Sequence, residues 1–149
     1  MSNRTKIEIV PTILDDCLLL ANALDKKACE IIRKGWHVNP VDGLINAYQT
    51  SLICMSVFLD GEIAGIFGCA EDEYGNVGYP WLTTASIIER HKISFVKYGK
   101  EYLDSFKERY SCLVSHVHKD NQLLLNWLLR SGFEKSELKG EFYECVYQP

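Results

Sequence analysis

The dipeptide Asp60-Gly61 stands between two apolar runs, Ile53–Leu59 and Glu62–Ala70. Asp and Gly both tolerate positive φ, which a two-residue turn between right-twisted antiparallel strands requires. The pattern predicts a β-hairpin in the middle of the chain. The polar, glycine-bearing stretch Glu71–Gly78 reads as a second turn, and Val77–Thr83 as a third strand of a meander. Pro80 lies inside that strand and predicts a local break or bulge, because proline donates no ladder hydrogen bond.

Around this meander the periodicity changes. Lys6–Val10 alternates polar and apolar residues and reads as an opening strand, stopped by Pro11. Ile13–Asn22 is helical in pattern, with Asp15 and Asp16 in the first turn, where the helix dipole favours negative charge. Asp25 can cap a second helix running to Gly35, and Asn39-Pro40 a third running to about Gln49. Ser86 and Glu89 fit a capping box, which predicts one long helix from Ser86 to about Tyr110. Its apolar stripe is Ile88, Phe95, Tyr102, Phe106 and Tyr110, with Gly99 close to it. Cys112–Val117 reads as a strand and Asn121–Ser131 as an almost wholly apolar, buried helix ended by Gly132. Two final strands follow, Phe133–Glu137 and Glu141–Tyr147, giving the order β-α-α-α-β-β-β-α-β-α-β-β.

A chain of 149 residues, 47% hydrophobic and 24% charged, predicts one globular domain over residues 1–149. The formal net charge of -4 speaks against a general nucleic-acid binder, whose affinity rests on neutralising phosphates. No apolar run approaches the ~20 residues of a membrane-spanning helix. The first residues, Met1–Glu8, hold no apolar core of a secretory signal, so a cytoplasmic protein is expected. The six cysteines are spread singly without a CxxC pair, so they are expected to be reduced and structural, with no metal site.

Strand Cys112–Val117, then Asn121, then Gly132-Phe133 eleven residues further on, is similar to the signature of the GNAT (Gcn5-related N-acetyltransferase) family. With the Asp60-Gly61 hairpin and the long central helix, the resemblance covers residues 6 to 147. It implies an α/β (α+β) fold, a mixed central sheet of about six to seven strands flanked by helices. In that family acetyl-CoA lies in a V-shaped opening between two parallel central strands. Its pantetheine pairs with the strand before the long helix, here Val77–Thr83, and its pyrophosphate sits on backbone N–H groups of a glycine-bearing loop. A helix start offers such groups and a positive dipole end. The resemblance thus implies Trp81, Leu82, Thr83, Thr84, Ser86 and Asn121 as cofactor-binding residues if CoA binds.

Two positions depart from the family pattern. No glycine occurs between Tyr79 and Tyr98, where the phosphate loop belongs. Leu128 occupies the place of a tyrosine that often protonates the departing CoA thiolate, and general-acid help is worth roughly 100- to 10,000-fold where it operates. His116 and His118 are the candidate catalytic residues, since histidine titrates near neutrality and both stand at the end of one strand. The acidic turn Glu71-Asp72-Glu73 offers carboxylates to an amine or to solvent.

The runs Asp60–Gly68 and Gly78-Tyr-Pro-Trp-Leu-Thr-Thr84, with the helix that holds Phe95, resemble a narrower GNAT-like family of short-tailed, coliphage-type viruses. That resemblance implies a bacteriophage accessory protein of reduced or absent catalysis. It would act in virion assembly or infection through contacts with phage virion or host proteins, in the host cytoplasm or in the virion. The alternatives are an active acetyl-CoA-dependent N-acetyltransferase of a protein or small amine, and a CoA-binding module without chemistry.

Overall fold

The computed structural model describes residues 5–149, so the first residues of the signal-peptide reading lie outside them. Along the chain run β1 (Ile7–Pro11), α1 (Leu14–Ala23), α2 (Lys26–Trp36), α3 (Pro40–Thr50), β2 (Ser51–Leu59), β3 (Glu62–Glu71) and β4 (Val77–Thr84). A 3-10 turn, Ser86–His91, then leads into α4 (Lys92–Arg109), β5 (Cys112–His118), α5 (Gln122–Arg130), β6 (Glu134–Lys135) and β7 (Phe142–Tyr147). The strands are ordered β1-β2-β3-β4-β5-β7-β6 in a seven-stranded, mostly antiparallel sheet. The α+β class and the element order match the sequence expectation.

The predicted punctuation is realised locally. Asp60 and Gly61 hold φ of 49° and 83°, the paired positive values of a type I′ turn. Asp25 accepts the Ala28 N–H at 2.8 Å and Asn39 that of Asp42 at 2.9 Å, so both cap as expected. The second helix runs one residue past Gly35, and His37 closes it with φ 59°.

The chain divides into two compact units, one holding the chain through Gly68 with Leu82–Arg90, the other Cys69–Trp81 with His91–Pro149. In the first unit β1 pairs antiparallel with β2, from Ile7↔Leu59 to Pro11↔Met55. A buried polar cluster ties α1 to β2. Ser56 Oγ donates to Asp16 Oδ2 at 2.8 Å, which also accepts the Ile13 N–H at 3.1 Å. Because the one Ser56 proton is committed there, the Thr12 hydroxyl donates to Ser56 Oγ at 2.9 Å. Cys17, Leu20, Leu44, Val57, Ile66 and Phe67 of this unit are all buried.

In the second unit β5 pairs antiparallel with β7 from Leu113↔Tyr147 to His118↔Phe142. Trp127 is fully buried in α5, and its ring meets Phe95 of α4 edge-on at 5.4 Å between centroids. Gly99 makes room for it: a Cβ there would lie 2.9 Å from Trp127 Nε1. Leu103, which the predicted stripe passed over, is also buried.

Two boundaries differ from expectation. The long helix does not start at Ser86; the α-helix begins at Lys92, behind a 3-10 turn in which the Ile88 N–H donates to Ala85 C=O. Ile88 is buried within this turn, while Ser86 and Glu89 are exposed. The sixth strand shrinks to Glu134–Lys135, because Phe133 is buried in the core instead of extending the ladder. All six cysteines are free thiols. No described helix is long and apolar enough to cross a membrane.

Candidate functional site

The parallel pair β4–β5 is where this architecture departs from a simple ladder. Its register covers Val77↔Cys112 and Gly78↔Leu113. Gly78 is demanded by crowding, since a Cβ would fall 2.6 Å from Tyr110, 2.8 Å from Cys69 Sγ and 2.8 Å from Leu113. Two residues on, Pro80 has no N–H to continue the ladder. Its carbonyl accepts instead from the buried Ser115 hydroxyl at 2.8 Å. β5 is laddered to β7 from Leu113 through His118 but to β4 only at its first two residues. The break predicted at Pro80 does not occur in the strand, since β4 runs unbroken from Val77 to Thr84; what stops before Pro80 is the pairing to β5.

The site residues expected from the sequence fall in both units. Leu82, Thr83, Thr84 and Ser86 belong to the first. Leu82 and Thr83 are buried, Thr84 is half-buried and Ser86 exposed. This segment is pressed onto β3: the Ala85 N–H donates to Ala64 C=O at 2.8 Å, and a Cβ on Gly65 would stand 3.0 Å from the Thr83 carbonyl oxygen. Gly65 is thus the glycine that lets the two backbones approach, a role not apparent from the sequence. The hydroxyl-rich stretch leads into a six-residue 3-10 turn, not into an α-helix start. The aligned free N–H groups expected at Ser86 belong to a longer helix than this one.

Trp81, His116, His118 and Asn121 belong to the second unit. Trp81 is buried. Asn121 caps α5, its Oδ1 accepting the Leu124 N–H at 3.4 Å, and its own N–H donates to the His118 carbonyl at 2.9 Å. The two histidines share one side of β5 but not one environment. His116 has 62% of its side chain exposed and sets Nε2 3.3 Å from Glu144 Oε2 across the β5–β7 ladder. His118 is 3% exposed and lies edge-on against Phe142. Its Nδ1 accepts the Asp120 N–H at 3.1 Å, and its Nε2 lies 3.5 Å from Glu141 Oε1. The Asp120 bond makes Nδ1 the acceptor and Nε2 the protonated nitrogen of the neutral ring. His118 therefore anchors the turn between β5 and α5, while His116 faces solvent.

The acidic turn is largely occupied with itself. Asp72 Oδ1 accepts the N–H groups of Asn76 at 2.8 Å and Val77 at 3.1 Å, and Glu71 Oε2 accepts the Tyr110 hydroxyl at 2.8 Å. Burial, then this bond to Glu71, pushes the Tyr110 phenol up to about 12. Burial likewise raises the Cys69 thiol to about 12 and the Cys54 thiol to about 11, so both stay protonated near neutrality. Leu128, for which the sequence resemblance implied the place of a proton donor, has no exposed surface. Among the described residues no three metal-ligating side chains cluster.

Neither a family model nor a curated protein matches this sequence. Solved structures do. An acetyltransferase of the GNAT family from Streptococcus pneumoniae superposes with a TM-score of 0.64 at 16% identity, covering 95% of this chain and 98% of its own. The PaiA N-acetyltransferase from Thermoplasma acidophilum, solved in complex with coenzyme A, gives 0.66 at 15% identity, over 97% of this chain and 99% of its own. RimL, a ribosomal L7/L12 alpha-N-protein acetyltransferase also in complex with coenzyme A, gives 0.66 at 11% identity, over 99% and 96%. The fold of this chain is that of the GNAT acetyltransferases.

Proposed function

We propose that this chain is an acetyltransferase-fold protein that acts through protein contacts, with acetyl transfer from acetyl-CoA reduced or absent. The observation that carries this reading is Leu128: where the family resemblance implies a proton donor on α5, this chain has a fully buried leucine, which holds no proton to give. The fit of the cofactor points the same way. The short β4–β5 ladder favours an extended pantetheine arm, which could add main-chain hydrogen bonds to a strand edge. The pyrophosphate fares worse, because Thr83, Thr84 and Ser86 precede a 3-10 turn without a glycine cradle. A bacteriophage accessory role in assembly or infection is part of the proposal and is supported by the likeness of Gly78–Thr84 to the phage family.

The alternative, an active N-acetyltransferase, is favoured by one observation, the exposed His116 beside Glu144. In that reading His116 is the base, and His118, whose Nδ1 is already engaged, positions the strand end. Titrating the purified protein with CoA and acetyl-CoA by calorimetry, and following thiol release with a panel of peptide and small amines, separates the two. We expect no release above the hydrolysis background. Saturable, amine-dependent release lost in His116→Ala would establish the enzyme and overturn the proposal.

A further inference from the structure

The two ends of the sheet are guarded unequally. At one end β6 has only Glu134 and Lys135, both charged and exposed, a short edge of the kind that discourages further pairing. At the other end β1 runs from Ile7 to Pro11 and carries Ile7, Ile9 and Val10. The Asp60 N–H donates to Lys6 C=O at 2.9 Å, and the Thr12 N–H to Cys54 C=O at 3.0 Å. With the register Ile7↔Leu59 to Pro11↔Met55, the even-numbered residues of β1 therefore spend their main-chain groups on β2. The N–H groups of Ile7 and Ile9 and the C=O groups of Ile7, Ile9 and Pro11 point the other way. Among the described residues no strand meets them. Pro11 shares this outward parity, so its missing N–H costs β2 nothing.

That edge is complementary to itself. We propose that it pairs with a second copy of this chain, β1 antiparallel to β1 about a two-fold axis at Ile9. The Ile9 N–H then donates to the second copy's Ile9 C=O and the Ile7 N–H to its Pro11 C=O, each bond repeated by symmetry. Only the Ile7 C=O stays without a donor, because Pro11 has none. The side chains fit the same register. On one face Ile9 meets Ile9 and Ile7 meets Pro11, covering residues that are half-buried or exposed in the single chain. On the other face Val10, 37% exposed, stands opposite the second copy's Glu8. Moving the axis to Glu8 would set two carboxylates opposite each other, which destabilises a strand pair. Moving it to Val10 would call on the Ile13 C=O, which already accepts the Asp16 N–H at 3.0 Å. The result is a sheet continued across two copies by strand addition. A ladder this short is a small interface, so the dimer is expected to form reversibly at micromolar concentrations or above. This inference goes beyond the proposed function and holds whether or not acetyl groups are transferred.

The test is sedimentation velocity on the full chain from about 5 to about 500 μM, where a weak dimer should appear as a reversible equilibrium. Val10→Asp sets a carboxylate against Glu8 at both symmetric contacts and should weaken association by about tenfold, whereas Val10→Lys should tighten it a few-fold. Adding Glu8→Lys to Val10→Asp brings opposite charges together again and should restore the dimer. Both side chains are exposed in the single chain, so urea midpoints should show these variants still folded. Ile9→Lys and Ile9→Glu should each be monomeric alone and should pair when mixed, since the axis sets position 9 against itself. Leu138→Glu, exposed in the other unit, should leave the dimer as it was. A chain that stays monomeric over the whole range, a dimer indifferent to Val10→Asp, or no recovery on adding Glu8→Lys would overturn the proposal. So would a dimer lost in Leu138→Glu, which would put the interface elsewhere. Acetyl turnover reports on the proposed function alone, so the two failures are distinguishable.

Discussion

The two compact units reach their packing by opposite means. In the first, a charged side chain is buried and satisfied: Asp16 accepts from Ser56 and from the Ile13 N–H, with Thr12 behind Ser56. In the second, the centre is aromatic, with Trp127 on Phe95 and glycines at Gly99 and Gly78 where nothing larger fits. A polar cluster depends on direction, because each donor must find its acceptor, whereas an aromatic centre depends on volume. The first should fail on loss of one hydroxyl, the second on any change of bulk.

The largest effect should come from breaking the aromatic centre. Trp127→Ala is expected to cost about 3–5 kcal/mol by chemical denaturation, since the whole side chain is buried and its removal leaves a cavity. Next, Gly78→Ala should cost about 1–3 kcal/mol by overpacking, because a methyl would overlap Tyr110, Cys69 and Leu113. Ser56→Ala should cost about 1–3 kcal/mol by the other route, leaving buried Asp16 short of a donor. If Ser56→Thr restores no stability while Gly78→Ala is neutral, the contrast between the units is wrong.

Alkaline titration sharpens the comparison. Folding holds the Cys54 thiol at about 11 and the Cys69 thiol at about 12, above the ordinary value of 9.0. Below pH 9 both states keep these protons and pH does not matter. Above it the unfolded chain releases them while the folded one does not, so stability should fall as pH climbs from 9 towards 12. Cys69→Ala should flatten that decline, as read from urea midpoints at pH 8 and 10.5. The smallest effect belongs to His116→Ala, which removes an exposed pair with Glu144 worth about 0–1 kcal/mol.

Much of the frame was legible because its signals act within a few residues. Asp60-Gly61 turns the chain by its own φ preferences, and Asp25, Asn39 and Asn121 each cap the third residue after themselves. The signature Asn121 to Gly132-Phe133 pointed to the fold that the solved structures then displayed. The candidate site was less legible. Ser86 and Glu89 satisfy a capping box on paper, yet the α-helix begins at Lys92, behind a 3-10 turn that holds the buried Ile88. His116 and His118 look equivalent two residues apart, but the turn to α5 and Glu141 enclose only one of them. Gly65 carried no signal at all, since its reason is Thr83, eighteen residues away in sequence and in contact across the sheet.

The sequence by itself determined the strands, the turns, the caps and their order, since each follows from φ, ψ and hydrogen bonds between close neighbours. Only the tertiary structure decided that Ser115 would take the Pro80 carbonyl, that Asp16 could be buried, and that β1 would end the sheet with one side unpaired. Those outcomes depend on partners 35 and 40 residues apart in the first two cases, and on the order of the strands in the third. Long-range packing supplies the free energy that chooses among them, and no local window of residues contains it.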